Sequence, residues 1–183
     1  FKTEYRLNYL ISQFKKEFLS IWNGVVMGGG VGLSIYGDHR LATDNSKFAM
    51  PETAIGFFPD VGASFFLSNL PNNIGKFIGL TGEVLTLNEI IFFGLATDYF
   101  PIENLEKVKT SFINNGEMDT KKYEVNSKSL IIENIDIINE LFEGNINEIF
   151  AKLKNKNTEL ENKIYEAFCT KCPMSLAVTE KLI

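Results

Sequence analysis

The chain is poor in the residues that most often announce chemistry: its 183 residues include two cysteines, one histidine, one tryptophan and five prolines. Two cysteines and one histidine cannot build a four-ligand zinc site without borrowing carboxylates, nor can they staple a disulfide-rich secreted domain. A reducing compartment and no resident metal are the expectation. Basic charge is also short, with 18 Lys and Arg against 23 Asp and Glu and a net charge of −5. That balance disfavours a broad electrostatic grip on nucleic acid or on an anionic membrane, so an anionic ligand has to be held locally. No apolar run reaches the roughly 18 residues of a membrane helix, and no signal segment opens the chain. The first residue is Phe1 rather than Met, and a helical pattern is still running at Ile183. The chain is therefore expected to be an internal piece of a longer protein, with targeting signals outside it.

What is present is ordinary globular material: 45% apolar and 22% charged residues, long enough for one domain or one domain with an appendage. Sixteen Phe, six Tyr and one Trp favour aromatic-lined cavities or a Phe-rich core. Residues 1 to 14 carry Tyr5, Leu7, Leu10, Ile11 and Phe14 at helical spacing and predict an amphipathic helix. A β-prone run, Phe18 to Trp22, stops at Asn23-Gly24. Val25 to Met27, the triplet Gly28-Gly29-Gly30 and a small-residue helix start then follow in the order strand, turn, helix. Two short strands are expected at 39–43 and 47–50 around Asp44-Asn45-Ser46, then a Pro- and Gly-rich loop over 51–62. Helices are predicted over 63–70 and 72–81, parted by Pro71, and over 87–93, with a small strand at 97–100. From Ile102 on the pattern is helical, including 131–142, 146–153 and 160–171. Composition shifts at Asn114-Asn115-Gly116, which places a boundary between residues 1–113 and 114–183. Lys152 to Lys156 read as a solvated helix end.

Three constellations could carry chemistry. The glycine triplet would let a ligand approach backbone N–H groups at a helix start, or it is simply a tight turn for close packing. It does not match G-x-G-x-x-G, since Leu33 fills the third glycine position, and no phosphate-loop signature exists. Glu52 and Asp60 share one rigid loop amid Met50, Phe57, Phe58 and Val61. Scarce water there would raise a carboxyl pKa and suit it to proton transfer or nucleophilic attack; alternatively the two acids cap helices, with Asp60 as an N-cap. Cys169-Thr170-Lys171-Cys172 has redox spacing without the βαβ context of a redox pair, and His39 has no serine or cysteine partner. The cysteine spacing reads as incidental and the histidine as structural.

Taken together, residues 23–33 (Asn-Gly-Val-Val-Met-Gly-Gly-Gly-Val-Gly-Leu) and 48–62 (Phe-Ala-Met-Pro-Glu-Thr-Ala-Ile-Gly-Phe-Phe-Pro-Asp-Val-Gly) resemble the enoyl-CoA hydratase/isomerase, or crotonase, superfamily. The likeness continues through Leu80-Thr81-Gly82 and Gly94 to Thr97, and more loosely through Cys172 to Leu176. It implies an α/β fold, a partial crotonase-like ββα spiral core followed by a mostly helical C-terminal region. By that resemblance Gly29 supplies one oxyanion-hole N–H, and its partner lies upstream of Phe1. Hydratases of the superfamily use two glutamates. Here Gly32 stands at the first position and Glu52 at the second, and Asp60 stands where hydratases commonly carry glycine. That exchange matches the branch hydrolysing 3-hydroxyisobutyryl-CoA, in which Glu4 corresponds to a glutamate near the acyl group. Lys16-Glu17, where many relatives have a proline, departs from the pattern away from the site.

The resemblance thus implies an acyl-CoA thioester hydrolase of valine breakdown with Glu52 and Asp60 catalytic and Gly29 and Glu4 binding. No cofactor is expected beyond the CoA carried by the substrate. It also implies a mitochondrial location, and self-association is common in the fold. The alternatives are an enoyl-CoA hydratase or isomerase, and a non-catalytic CoA-binding or assembly module.

Overall fold

The computed structural model describes residues 1–155 and 158–183. Along the chain, helix α1 (Lys2–Ser12) leads to strands β1 (Leu19–Trp22) and β2 (Val25–Met27), helix α2 (Gly29–Ser34) and strands β3 (His39–Ala42) and β4 (Lys47–Ala49). A 3-10 turn (Glu52–Ile55), helices α3 (Ala63–Ser68) and α4 (Ile74–Thr81), strand β5 (Leu85–Thr86), helix α5 (Leu87–Phe92) and strand β6 (Asp98–Tyr99) follow. The rest is helical: α6 (Leu105–Asn115), α7 (Leu130–Glu133), α8 (Ile135–Leu141), α9 (Ile146–Leu153), α10 (Glu159–Cys169) and α11 (Pro173–Leu182). The class is the expected one, α/β with a helical C-terminal part.

Two compact units form, each from separate stretches: Phe1–Phe48 with Leu85–Asn126, and Ala49–Val84 with Ser127–Ile183. Each therefore takes residues from before the compositional shift at 114–116, and each extends beyond it. That shift coincides with the end of α6, where Gly116 is left-handed at φ 70°.

In the first unit, β1, β3 and β6 make a parallel sheet in which Leu19 faces His39, Ile21 faces Leu41, and Leu41 faces Asp98. Parallel neighbours need a crossover, and the glycine turn with α2 lies on the path from β1 to β3. Leu41, Phe100 and Val108 form a buried cluster edged by Leu19, Ile21, Leu105 and Met118. The second sheet runs β2-β4-β5, with β4 and β5 antiparallel and Phe48 opposite Leu85. Trp22 stacks on Phe48 at 5.8 Å between ring centres. The turn at 44–46 is tied on both sides, Ser46 N–H donating to Thr43 O (3.0 Å) and Thr43 N–H to Ser46 Oγ (2.9 Å). His39 packs its ring against Phe112, a structural role consistent with the sequence reading.

In the second unit, α4 is buried nearly all round. Phe77, Phe142, Phe168 and Phe150 follow one another edge to face, at 5.6, 6.0 and 5.2 Å between ring centres. Four of the sixteen phenylalanines are used here. A methyl at Gly75 would strike the Leu67 carbonyl, so glycine is what lets α4 approach α3. The helix expected over 131–142 is two, α7 and α8, broken at Asn134. Its side-chain amide donates to Leu130 O (2.8 Å) and competes with the backbone ladder. Of the lysine-rich tract, residue 156 lies outside the described residues. Lys152 does more than solvate a helix end, since its Nζ donates to Glu140 O (2.5 Å) and Glu143 O (2.9 Å) at the end of α8.

Candidate active site

The stretch 51–62 is not the fully irregular loop that its prolines and glycines predict. Pro51 precedes one 3-10 turn that begins at Glu52 and ends at the left-handed Gly56, φ 76°. Phe57 N–H donates to Glu52 O (3.0 Å), and Ala54 N–H to Pro51 O (3.0 Å). The turn is clamped through Thr53, whose hydroxyl donates to Leu80 O (3.3 Å) and whose carbonyl accepts from Cys172 N–H (3.0 Å). Gly82 lies so close that a methyl there would stand 3.1 Å from Pro51 Cα. Glu52 is thus carried by a turn pinned to α4 and to the start of α11.

Glu52 is 6% exposed, and its Oε2 has no hydrogen-bond partner among the described residues. Burial pushes the carboxyl up to about 7, the negative charge of Asp60 adding to the effect while the Glu52 backbone N–H works against it. A carboxyl that changes charge near neutrality can attack or take a proton as carboxylate and return one as acid.

Asp60 is half-buried, and the residue after it is the more informative. Val61 is left-handed at φ 47°, a conformation that costs a β-branched residue about 1–3 kcal/mol. Gly62, at φ 84°, continues the bend, and Ala63 N–H closes on Asp60 O at 2.7 Å. The N-cap of α3 is Gly62, so Asp60 is not the helix cap that local sequence allows. Phe57 and Phe58, which lie between the two acids in sequence, stack at 4.5 Å within the same loop.

In the first unit, Gly28 takes φ 52°, ψ −122°, which a side chain disfavours, and its carbonyl accepts from Val31 N–H (2.9 Å) and Gly32 N–H (3.3 Å). The N–H groups of Gly29 and Gly30 fall in the first turn, where no intrahelical acceptor exists. A methyl at Gly29 would sit 2.7 Å from Glu4 Oε1, so Glu4 of α1 reaches the opening of α2. The four predicted residues therefore fall into two pairs: Glu52 with Asp60, and Gly29 with Glu4. Sequence reasoning missed Val61, for which no local signal exists. It also missed Asn8, one turn beyond Glu4, where the signal was a polar residue inside an apolar helical pattern.

Comparison with known proteins places the chain in a family. The profile of the enoyl-CoA hydratase/isomerase family matches residues 1–183. The chain is 40% identical over 173 residues to probable 3-hydroxyisobutyryl-CoA hydrolase 2 of Arabidopsis thaliana, covering 88% of this chain and 46% of that protein. It is 36% identical over 193 residues to the mitochondrial 3-hydroxyisobutyryl-CoA hydrolase of Xenopus laevis, covering 98% of this chain and 50% of that one. Among solved structures, an enoyl-CoA hydratase from Rhodobacter sphaeroides superposes with a TM-score of 0.91 at 33% identity, over 98% of this chain and 53% of its own. The chain spans about half the length of the curated relatives it matches. With the profile matched from end to end and the crotonase fold reproduced, the chain belongs to the enoyl-CoA hydratase/isomerase family.

Proposed function

We propose that the protein hydrolyses the thioester of 3-hydroxyisobutyryl-CoA, or of a close 3-hydroxyacyl-CoA, to the free acid and coenzyme A. The observation that carries this reading is Glu52: buried, with one oxygen unpartnered among the described residues, and held near neutrality by burial and by Asp60. The Gly29 N–H polarises the thioester carbonyl and stabilises the oxyanion, a donor worth about 3–4 kcal/mol in the barrier. Glu52 either attacks the carbonyl carbon, expelling CoA as thiolate and leaving an anhydride that water then hydrolyses to the free acid, or takes the proton of a water that attacks the carbonyl carbon directly and expels the thiolate. Asp60 orients Glu52 and relays the proton to the leaving sulfur. Glu4 accepts a hydrogen bond from the acyl hydroxyl. The reaction asks for no cofactor beyond the CoA that the substrate carries. Names of relatives that include the word mitochondrial support that compartment, and the resemblance to the hydrolase branch implies a place in valine breakdown. Family members of this fold often self-associate, and a homo-oligomer fits the reading.

The alternative, enoyl-CoA hydration, is the activity in the name of the Rhodobacter relative. It asks for a second glutamate where this chain has Gly32, a buried residue without a side chain. The experiment follows thiol release from 3-hydroxyisobutyryl-CoA alongside loss of enoyl-CoA absorbance. Glu52→Gln should lower thiol release by about 10³-fold, and Asp60→Asn by about 10²-fold, in folded proteins. Efficient hydration by the unaltered protein, with thiol release untouched by Asp60→Asn, would replace the hydrolase reading with the hydratase one. Acyl-CoA binding without either reaction would leave the non-catalytic module.

A further inference from the structure

Helix α1 is turned inside out. Tyr5, Leu7, Tyr9 and Leu10 are exposed, Tyr9 to 64% and Leu10 to 54%, while the one buried residue of the helix is Asn8, 5% exposed. A small rotation about the helix axis would bury leucine and return the amide to water, the arrangement that the hydrophobic effect favours. Asn8 nevertheless stays inside, and neither its Oδ1 nor its Nδ2 has a hydrogen-bond partner among the described residues. An amide buried with every bond unmade carries its full desolvation penalty, so its place needs an explanation that packing does not supply.

The position of Glu4 supplies one. Asn8 follows Glu4 by four residues and so lies about 40° round the helix from it, on the same face. That face packs on α2, with Glu4 Oε1 beside Gly29. The face of α1 that meets the glycine turn therefore presents a carboxylate and then an amide, an acceptor followed by a donor. An alcohol needs both, one group to accept its proton and one to donate to its oxygen. An unsubstituted acyl chain needs neither.

We propose that Asn8 is a specificity residue for the acyl hydroxyl: its Nδ2 donates to the hydroxyl oxygen while Glu4 accepts the hydroxyl proton. This rests on the hydrolase reading for the class of substrate. It adds a residue that selects 3-hydroxyacyl over unsubstituted acyl thioesters.

The test measures binding by calorimetry in the Glu52→Gln protein, which holds the thioester without turnover. The ligands are 3-hydroxyisobutyryl-CoA and isobutyryl-CoA, which share a carbon skeleton and differ by the hydroxyl. The expected result is a preference of at least about tenfold for the hydroxylated ligand, reduced by at least about threefold in both Asn8→Leu and Asn8→Asp, the hydrogen bond to Glu4 holding the remainder. Leucine removes both polar groups, and aspartate keeps size and acceptor but loses the donor. Asn8→Leu should also melt at the same temperature or a few degrees higher, because it removes an unsatisfied buried amide. A preference that is undiminished in either folded variant overturns the assignment, as does a starting protein that does not distinguish the ligands. Loss of fold in both variants makes Asn8 structural and overturns it too. Thiol release by the protein with Glu52 intact is read separately. If it binds both ligands and releases no thiol, the hydrolase reading fails, and the binding ratios still decide Asn8.

Discussion

Helices α4 and α1 both show helical apolar spacing in sequence, and they are used in opposite ways. Of the eight residues of α4, seven are buried, and its glycines let α3 and the chain end approach it closely. Of the eleven residues of α1, only Asn8 is buried, and the leucines and tyrosines face outward. In α4 the buried surface is hydrocarbon and its purpose is cohesion. In α1 the inner face carries Glu4 and Asn8 toward a glycine turn, and cohesion gives way to polar presentation. An apolar repeat thus establishes that a helix forms without saying which side of it is buried. Substitutions on the inner side of α1 should cost activity with little stability, and those in α4 the reverse.

The largest effect expected from this contrast is at Gly29. Gly29→Val should lower kcat for thioester hydrolysis by about 100-fold or more, because the side chain crowds the N–H donor. The neighbour it meets is the far end of the Glu4 side chain, which can move, so the melting temperature should stay nearly unchanged. A full rate in the folded variant would make the triplet a packing turn. In α4, Gly75→Ala places a methyl against the Leu67 carbonyl, which is backbone and cannot swing aside. Thermal melts should show a loss of about 2 kcal/mol, overpacking outweighing the gain in helix propensity, with kcat little changed. Equal stability would mean that α3 and α4 are less tightly joined than the structure places them.

Glu52 sets a smaller and pH-dependent effect. Its carboxyl holds a proton up to about 7 in the folded protein, against an ordinary value of 4.5. Between those values the folded state binds more protons than the unfolded state, so stability falls as pH rises through the window. Glu52→Gln removes this cost. The variant should equal the parent below about pH 4.5 and exceed it by roughly 2 kcal/mol above pH 7, solvent screening having reduced the full Coulombic and desolvation cost. Denaturant melts at a series of pH values check it, and a difference independent of pH would mean that the Glu52 carboxyl titrates alike in the folded and unfolded protein. The smallest effect is expected on the outer face of α1, where Leu10→Gln should change stability by less than about 0.5 kcal/mol. A larger loss would show that Leu10 is covered in the protein as it exists in solution.

Much of the site could be read before any coordinates. The glycine triplet between a strand and a helix and the acids Glu52 and Asp60 on one Pro- and Gly-rich stretch are local facts of order and residue type, to which the family resemblance adds Gly32 in place of a second glutamate. Local rules also place most helices and strands, because periodicity and turn chemistry act over a few residues. They fail where a single residue competes with the pattern, as at Asn134, or where an element is as short as β5, whose two residues are too few to show alternation.

By itself, then, the amino-acid order determined which chemical groups exist and in what local frames: the αL-prone glycines, the helix-forming repeats, and a shortage of metal and redox ligands. Tertiary structure alone decided their environments. It sealed Glu52 from water and so raised its carboxyl, held Val61 left-handed beside Asp60, and turned Asn8 inward while leaving leucines outside. The reason is that burial and charge depend on what surrounds a group in space. Those surroundings come from segments far apart in the chain, such as Leu80 and Cys172 closing on Thr53, and no window of neighbouring residues contains them.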